Sequence, residues 1–240
     1  LKNLFPLALP ETVGYGLLGG LTLKKPKLTV PKLCKEARDF SEMESECLEP
    51  SLFGVTDGKA VGTYLEHKFQ AHLRSKYAYA EGTSAKGIDF PELLVDIKVT
   101  SVKQPQSSCP YKSARQKIYG LGYSLLVFVY EKSDDANVGA ARLNILHTFF
   151  VEKERTADFQ TTSGLRKILE NDGNEDDLTA FMHERLLPVD DILAAEIARE
   201  IMERPPEIGF LTISNALQWR LQYQRVIALA GTVDGILRVR

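Results

Sequence analysis

The segment from Leu93 to Thr100 constrains this chain more than any other. Leu93, Leu94, Val95, Ile97, Val99 and Thr100 are the apolar and β-branched residues of a strand packed inside a sheet. Yet the segment also carries Asp96 and Lys98. Two residues apart on a strand, they share one face, while Val95, Ile97 and Val99 take the other into a core. An acid and a base side by side on a central strand need a reason. An ion pair on an edge strand is the plain alternative. Asp89 lies seven residues before Asp96, across a tight connection containing Pro91, and two strands joined so closely bring the carboxylates together. Paired carboxylates make a hard-oxygen site suited to Mg²⁺. Such a cation shields an anionic phosphate and activates water, and a neighbouring lysine can orient or deprotonate that water.

The elements around this segment follow from periodicity. Residues 1–33 are punctuated by Pro and Gly and read as irregular. Cys34 to Leu48 reads as a charged helix. Leu65, Phe69 and Leu73 recur at helical spacing, which predicts an amphipathic helix over 62–77 with Glu66 beside the apolar stripe. Ile88 to Phe90 and Leu93 to Thr100 read as two strands, 104–110 as a loop, and Lys112 to Leu121 as a helix ended by Gly122. The apolar run Ser124 to Tyr130 predicts a buried strand, and Leu143 to Val151 another. Asp177 to Leu187 and Asp190 to Arg204 read as helices. The fold class expected is α/β, a mixed central β-sheet flanked by helices, with a mainly helical C-terminal region. A composition shift near 170 divides the chain into a core with an N-terminal extension (1–170) and a helical region (171–240).

Charge is unevenly spread. Residues 1–132 hold 18 Lys and Arg against 14 Asp and Glu, a net of +4, and the remainder hold 12 against 18, a net of −6. No acid occurs from Ile97 to Tyr130, a stretch that carries Lys98, Lys103, Lys112, Arg115 and Lys117. A local basic strip suits a phosphate backbone; a surface whose acids come from elsewhere in the fold is the other reading. The three cysteines form no Cys-x-x-Cys pair, and the four histidines form no metal pattern. Cys109, without a nearby His, reads as a packed loop residue rather than a nucleophile. No apolar run approaches a membrane span and the opening residues do not read as an export signal, so a cytoplasmic, prokaryotic protein is expected.

Asp89, Asp96 and Lys98, with the helix before them and the helix and apolar strand after, resemble the PD-(D/E)xK nuclease superfamily, most closely its type II restriction endonucleases. The resemblance covers about 70 of the 240 residues, and Ile88 stands where the family pattern usually has proline. It implies Mg²⁺-dependent, sequence-specific hydrolysis of double-stranded DNA. It places Asp89, Asp96 and the main chain of Ile97 on the metal, Lys98 at the catalytic lysine, and Glu66 as a further acid from the preceding helix. Lys103, Gln104, Gln106, Ser107, Lys112, Arg115, Gln116 and Lys117 become candidate DNA contacts. A homodimer on a palindromic site is expected, because cutting both strands symmetrically takes two active sites. A repair or recombination nuclease of the same superfamily, and a non-catalytic DNA-binding protein, are the other readings.

The C-terminal stretch admits two readings. Thr212 to Ala230 reads as one packing helix that buries Leu217, Leu221, Ile227 and Leu229, followed by a strand on the core. It also reads as a winged-helix-like module whose Asn215, Gln218, Arg220, Gln222, Gln224 and Arg225 face bases, since Arg matches guanine and Asn or Gln matches adenine.

Overall fold

The computed structural model describes residues 25–82, 87–110, 112–214 and 219–240. Two helices, α1 (Val30–Glu46) and α2 (Gly58–Lys76), precede the sheet, with the two-residue strand β1 (Leu48–Glu49) between them. The strands β2 (Val95–Ser101) and β3 (Gln106–Cys109) follow, then the short helix α3 (Arg115–Tyr119) and the long hairpin of β4 (Ser124–Asp135) and β5 (Ala140–Val151). Three helices come next, α4 (Phe159–Glu170), α5 (Glu175–Glu184) and α6 (Asp191–Glu203). The chain ends with β6 (Thr212–Ile213), β7 (Trp219–Gln222), α7 (Gln224–Leu229) and β8 (Ile236–Arg238).

The central sheet runs β1-β5-β4-β2, with β8 also paired to β5. β2 lies parallel to β4, and the other pairs are antiparallel. This is the mixed α/β architecture expected. Leu126 and Phe128 of β4 face Leu65 and Phe69 of α2 and Phe40 of α1, whereas Leu125, Val127 and Val129 face the C-terminal strands. Both faces are covered, which is why β4 is apolar throughout rather than alternating. A third cluster joins α3 to α4, α5 and α6 through Ile118, Leu165, Met182 and Ile197.

Several elements differ from expectation. α1 begins at Val30, with Pro31 in its first turn, where a proline costs no hydrogen bond. Ile88 to Phe90 forms only a bridge, Phe90 to Val95, closed by a turn in which Leu94 takes a left-handed φ of +52°. The helix after the 104–110 segment is shorter than predicted and stops before Gly120, whose φ is +87°. α4 was not anticipated; Asp158 caps it by accepting from the Thr161 amide at 2.8 Å.

The largest departure is at the C-terminus. Residues 212–213 and 219–222, read as helical, are strands. They join β3 in a second sheet, ordered β3-β7-β6. One short helix, α7, remains between 205 and 240 among the described residues, so no helix–turn–helix pair forms there. Asn215, Leu217 and Gln218 lie outside the described residues. The final strand does pair with the core, as β8 on β5.

Candidate active site

The open edge of β2 carries the site. β4 covers one side of this strand, which leaves the other with main-chain groups to satisfy. Asp89 meets that need: its Oδ2 accepts from the Ile97 amide at 2.7 Å. The turn through Leu94 folds the chain back so that Asp89 lies beside β2. Gly82 donates its amide to the Asp89 carbonyl at 2.8 Å. A Cβ on Gly82 would stand 1.8 Å from the Ile88 carbonyl oxygen, so only glycine fits this approach.

Asp96 projects from β2 and is 4% exposed. The Lys98 ammonium, on the same face, stands 2.6 Å from Asp96 Oδ2. This close ion pair is what the buried oxygen has in place of water. Glu66 reaches over from α2, and the Glu66, Asp89 and Asp96 carboxyls form a chain in hydrogen-bonding reach of one another. Together with Gln70, Ile97 and Pro110 these residues line a cleft of about 440 Å³. A larger groove of about 540 Å³ lies between α4 and α5, away from the carboxyls.

Burial dominates the electrostatics. It lifts the Asp96 carboxyl to about 7, against the pull of Lys98 and with the push of neighbouring Asp89. Burial also raises Asp89, partly offset by its hydrogen bonds to Asp96 and the Ile97 amide, and raises Glu66. Three acids held above their ordinary range in one cleft resist ionisation, a cost that a bound cation would offset. Among the described residues no group of three or more His, Cys, Asp or Glu forms a ready-made metal cage. The donors present are hard oxygens from two carboxylates, that of Asp96 buried. That set fits a small hard cation that keeps part of its shell for water and phosphate, as Mg²⁺ does.

A family model for the type II restriction enzyme NspV matches residues 27–238. The curated type II restriction enzyme NspV from Nostoc sp. is 64% identical over 212 residues, covering 88% of this chain and 96% of that protein. The chain belongs to the NspV family of type II restriction enzymes. It is therefore a restriction endonuclease, a hydrolase acting on double-stranded DNA, in a class that generally works with a divalent metal. No solved structure matches it. Among the described residues no helix is long and apolar enough to cross a membrane.

The structure divides the candidate DNA contacts of this NspV-family chain. Lys103, Gln104 and Lys112 are exposed, and Gln106 is half-buried on β3. Ser107 turns inward to the Tyr223 hydroxyl at 2.5 Å. Arg115 pairs with Glu200, Nε to Oε2 at 2.8 Å. Gln116 is buried, and its Oε1 accepts from the Lys112 amide at 2.9 Å. Lys117 is 2% exposed and donates to the Ile213 carbonyl at 2.9 Å, while Asp158 accepts from the Ile213 amide at 2.8 Å. Lys117 thus anchors the second sheet from inside, whereas Gln116 holds the turn that leads into its own helix. Gln70 was overlooked in the sequence. It donates to Asp89 Oδ1 at 3.4 Å and sits four residues after Glu66, so helical spacing alone places it over the same site.

Proposed function

We propose that this restriction endonuclease cleaves a specific duplex sequence using Mg²⁺ held by Asp89, Asp96 and the Ile97 carbonyl, with Lys98 as the catalytic lysine. The convergence of Asp89, Asp96 and Lys98 at the open edge of β2 is the observation that supports this most. The amide and carbonyl of an extended residue point the same way. The Ile97 amide turns to Asp89 rather than to β4, so its carbonyl is also on the open side. A bound Mg²⁺ would supply positive charge against the phosphate and a water made acidic enough to attack.

The chain's own residues do the rest. Asp89 and Asp96 would hold the cation at a fixed place on β2. Lys98 orients the attacking water and neutralises charge that grows on the phosphate, which favours the transition state over the ground state. Glu66 acts through Asp89, keeping the acidic end of the cleft in place. Lys103 and Lys112 grip the backbone electrostatically. Two copies related by a two-fold axis would cut the two strands of a symmetric site. The test is digestion of mixed-sequence DNA with Mg²⁺, followed by sequencing of the ends. Ends that share one flanking sequence support the proposal. Ends scattered over all sequences, or no cutting with Mg²⁺, overturn it.

A further inference from the structure

The second sheet has two unlike faces. On the inner face Cys109, Trp219, Leu221 and Ile213 pack into the core with Tyr223. On the outer face the strand register aligns Gln106 of β3 with Gln222 of β7, and Ser108 with Arg220. Thr212 of β6 continues the first row beside Gln222. Each outer residue is at least partly exposed, and the Arg220 guanidinium donates to Ser108 Oγ at 3.3 Å. This leaves a row of side-chain donors and acceptors with no apolar residue among them.

Two further observations point this face at DNA. The first is position. Thr100 Oγ1 accepts from the Gln106 amide at 3.0 Å, which ties the start of β3 to the end of β2. β3 then runs back along β2, and Pro110, immediately after it, lines the cleft with Asp96 and Lys98. A duplex whose phosphate lies at Asp96 therefore has this sheet beside it. The second is charge. The two segments that build this sheet, 97–130 and 208–233, contain no Asp or Glu, in a chain with 32 acids among 240 residues. Size agrees for the β3-β7 pair that carries Gln106, Arg220 and Gln222: a two-stranded ribbon is what a B-DNA major groove about 12 Å wide admits.

From this geometry we infer that the outer face of the β3-β7 ribbon enters the major groove and reads the recognition sequence, with Arg220 on a guanine and Gln106 and Gln222 on adenines. Arg presents two parallel donors to guanine O6 and N7. The Gln amide matches the N6 donor and N7 acceptor of adenine. Arg220 makes one hydrogen bond to Ser108 and has further N–H groups to offer, and that bond holds the guanidinium plane in place. The inference rests on the proposed nuclease reading and adds its specificity determinants.

The experiment compares the sequences cut by the full-length wild type, Arg220→Ala, Arg220→Lys, Gln106→Ala and Gln222→Ala in a random duplex library with Mg²⁺. Salt-dependent binding is measured in parallel. Each variant should lose discrimination at one base pair per half-site by roughly 5- to 150-fold and keep it elsewhere. Arg220→Lys should relax specificity as Arg220→Ala does, because it keeps the charge and loses the paired donors. An unchanged cut sequence in all four variants overturns the assignment. So does a uniform loss across all sequences with the salt slope reduced by about one, the mark of a phosphate contact. Failure of the wild type to cut any sequence would instead overturn the nuclease reading beneath it.

Discussion

Replacing Asp96 with asparagine should stabilise the metal-free protein while destroying its activity. In the fold this carboxyl titrates at about 7, against 3.8 for an unperturbed aspartate, chiefly because it is buried. Between those values the folded chain keeps a proton that the unfolded chain has released. Stability therefore falls as pH rises through that window, and the full cost is present above pH 7. At 1.36 kcal/mol per unit, a shift of about three units costs on the order of 4 kcal/mol. The pull of Lys98 is already contained in that net shift. Asparagine keeps the shape and never ionises, so it escapes the cost. At pH 8 in EDTA, Asp96→Asn should melt roughly 8–16 °C above wild type, at 2–4 °C per kcal/mol for a chain of this size. The gap should close as the pH is lowered toward 4. Added Mg²⁺ should raise the wild-type Tm and leave the variant unchanged, because ligand binding stabilises only the chain that binds. Calorimetric or fluorescence melting across pH, with and without Mg²⁺, measures all of this. An Asn variant no more stable than wild type at pH 8, or a gap that does not depend on pH, would refute the reasoning.

Three other outcomes follow from the same geometry. Gly82→Ala puts a Cβ 1.8 Å from the Ile88 carbonyl oxygen and must displace the segment that carries Asp89, so single-turnover cleavage should fall at least tenfold while DNA binding persists; wild-type cleavage would contradict the close approach. Lys117→Ala should lower stability by about 1–3 kcal/mol in chemical denaturation, by leaving the buried Ile213 carbonyl without its donor, and should leave the salt slope of DNA binding unchanged, whereas Lys103→Ala or Lys112→Ala should reduce that slope by about one. Light scattering of the complex on its recognition duplex should give two chains per duplex; one chain per duplex would count against the two-fold arrangement.

The parts legible in the sequence were those with local causes. α2 shows in the spacing of Leu65, Phe69 and Leu73, all fully buried. β4 shows in an apolar run that both faces of the sheet require. β2 shows because Asp96 and Lys98 interrupt an otherwise apolar strand. The second sheet did not show, because its cause is remote: Gln106 pairs with Gln222, over a hundred residues away. The buried positions Trp219 and Leu221 alternate over only four residues, too short a stretch to settle the period. Nor could the sequence say which face of the five-residue α3 is buried, so Lys117 passed for a surface cation. Asp89 was found by distance along the chain. Its partner Gly82 was not, since no residue pattern announces that two backbones must touch.

The central claim, that Lys98 is catalytic rather than a phosphate contact, is tested most directly by single-turnover cleavage with DNA at saturation. Lys98 stands 2.6 Å from the Asp96 carboxylate and lines the same cleft. Its role in the transition state predicts that Lys98→Ala lowers the saturated rate by orders of magnitude and changes DNA affinity little. Lys98→Arg should fail as well, because a guanidinium is larger and does not give up its proton. A Lys98→Ala protein that binds DNA weakly yet cleaves at the wild-type rate once saturated would contradict the account.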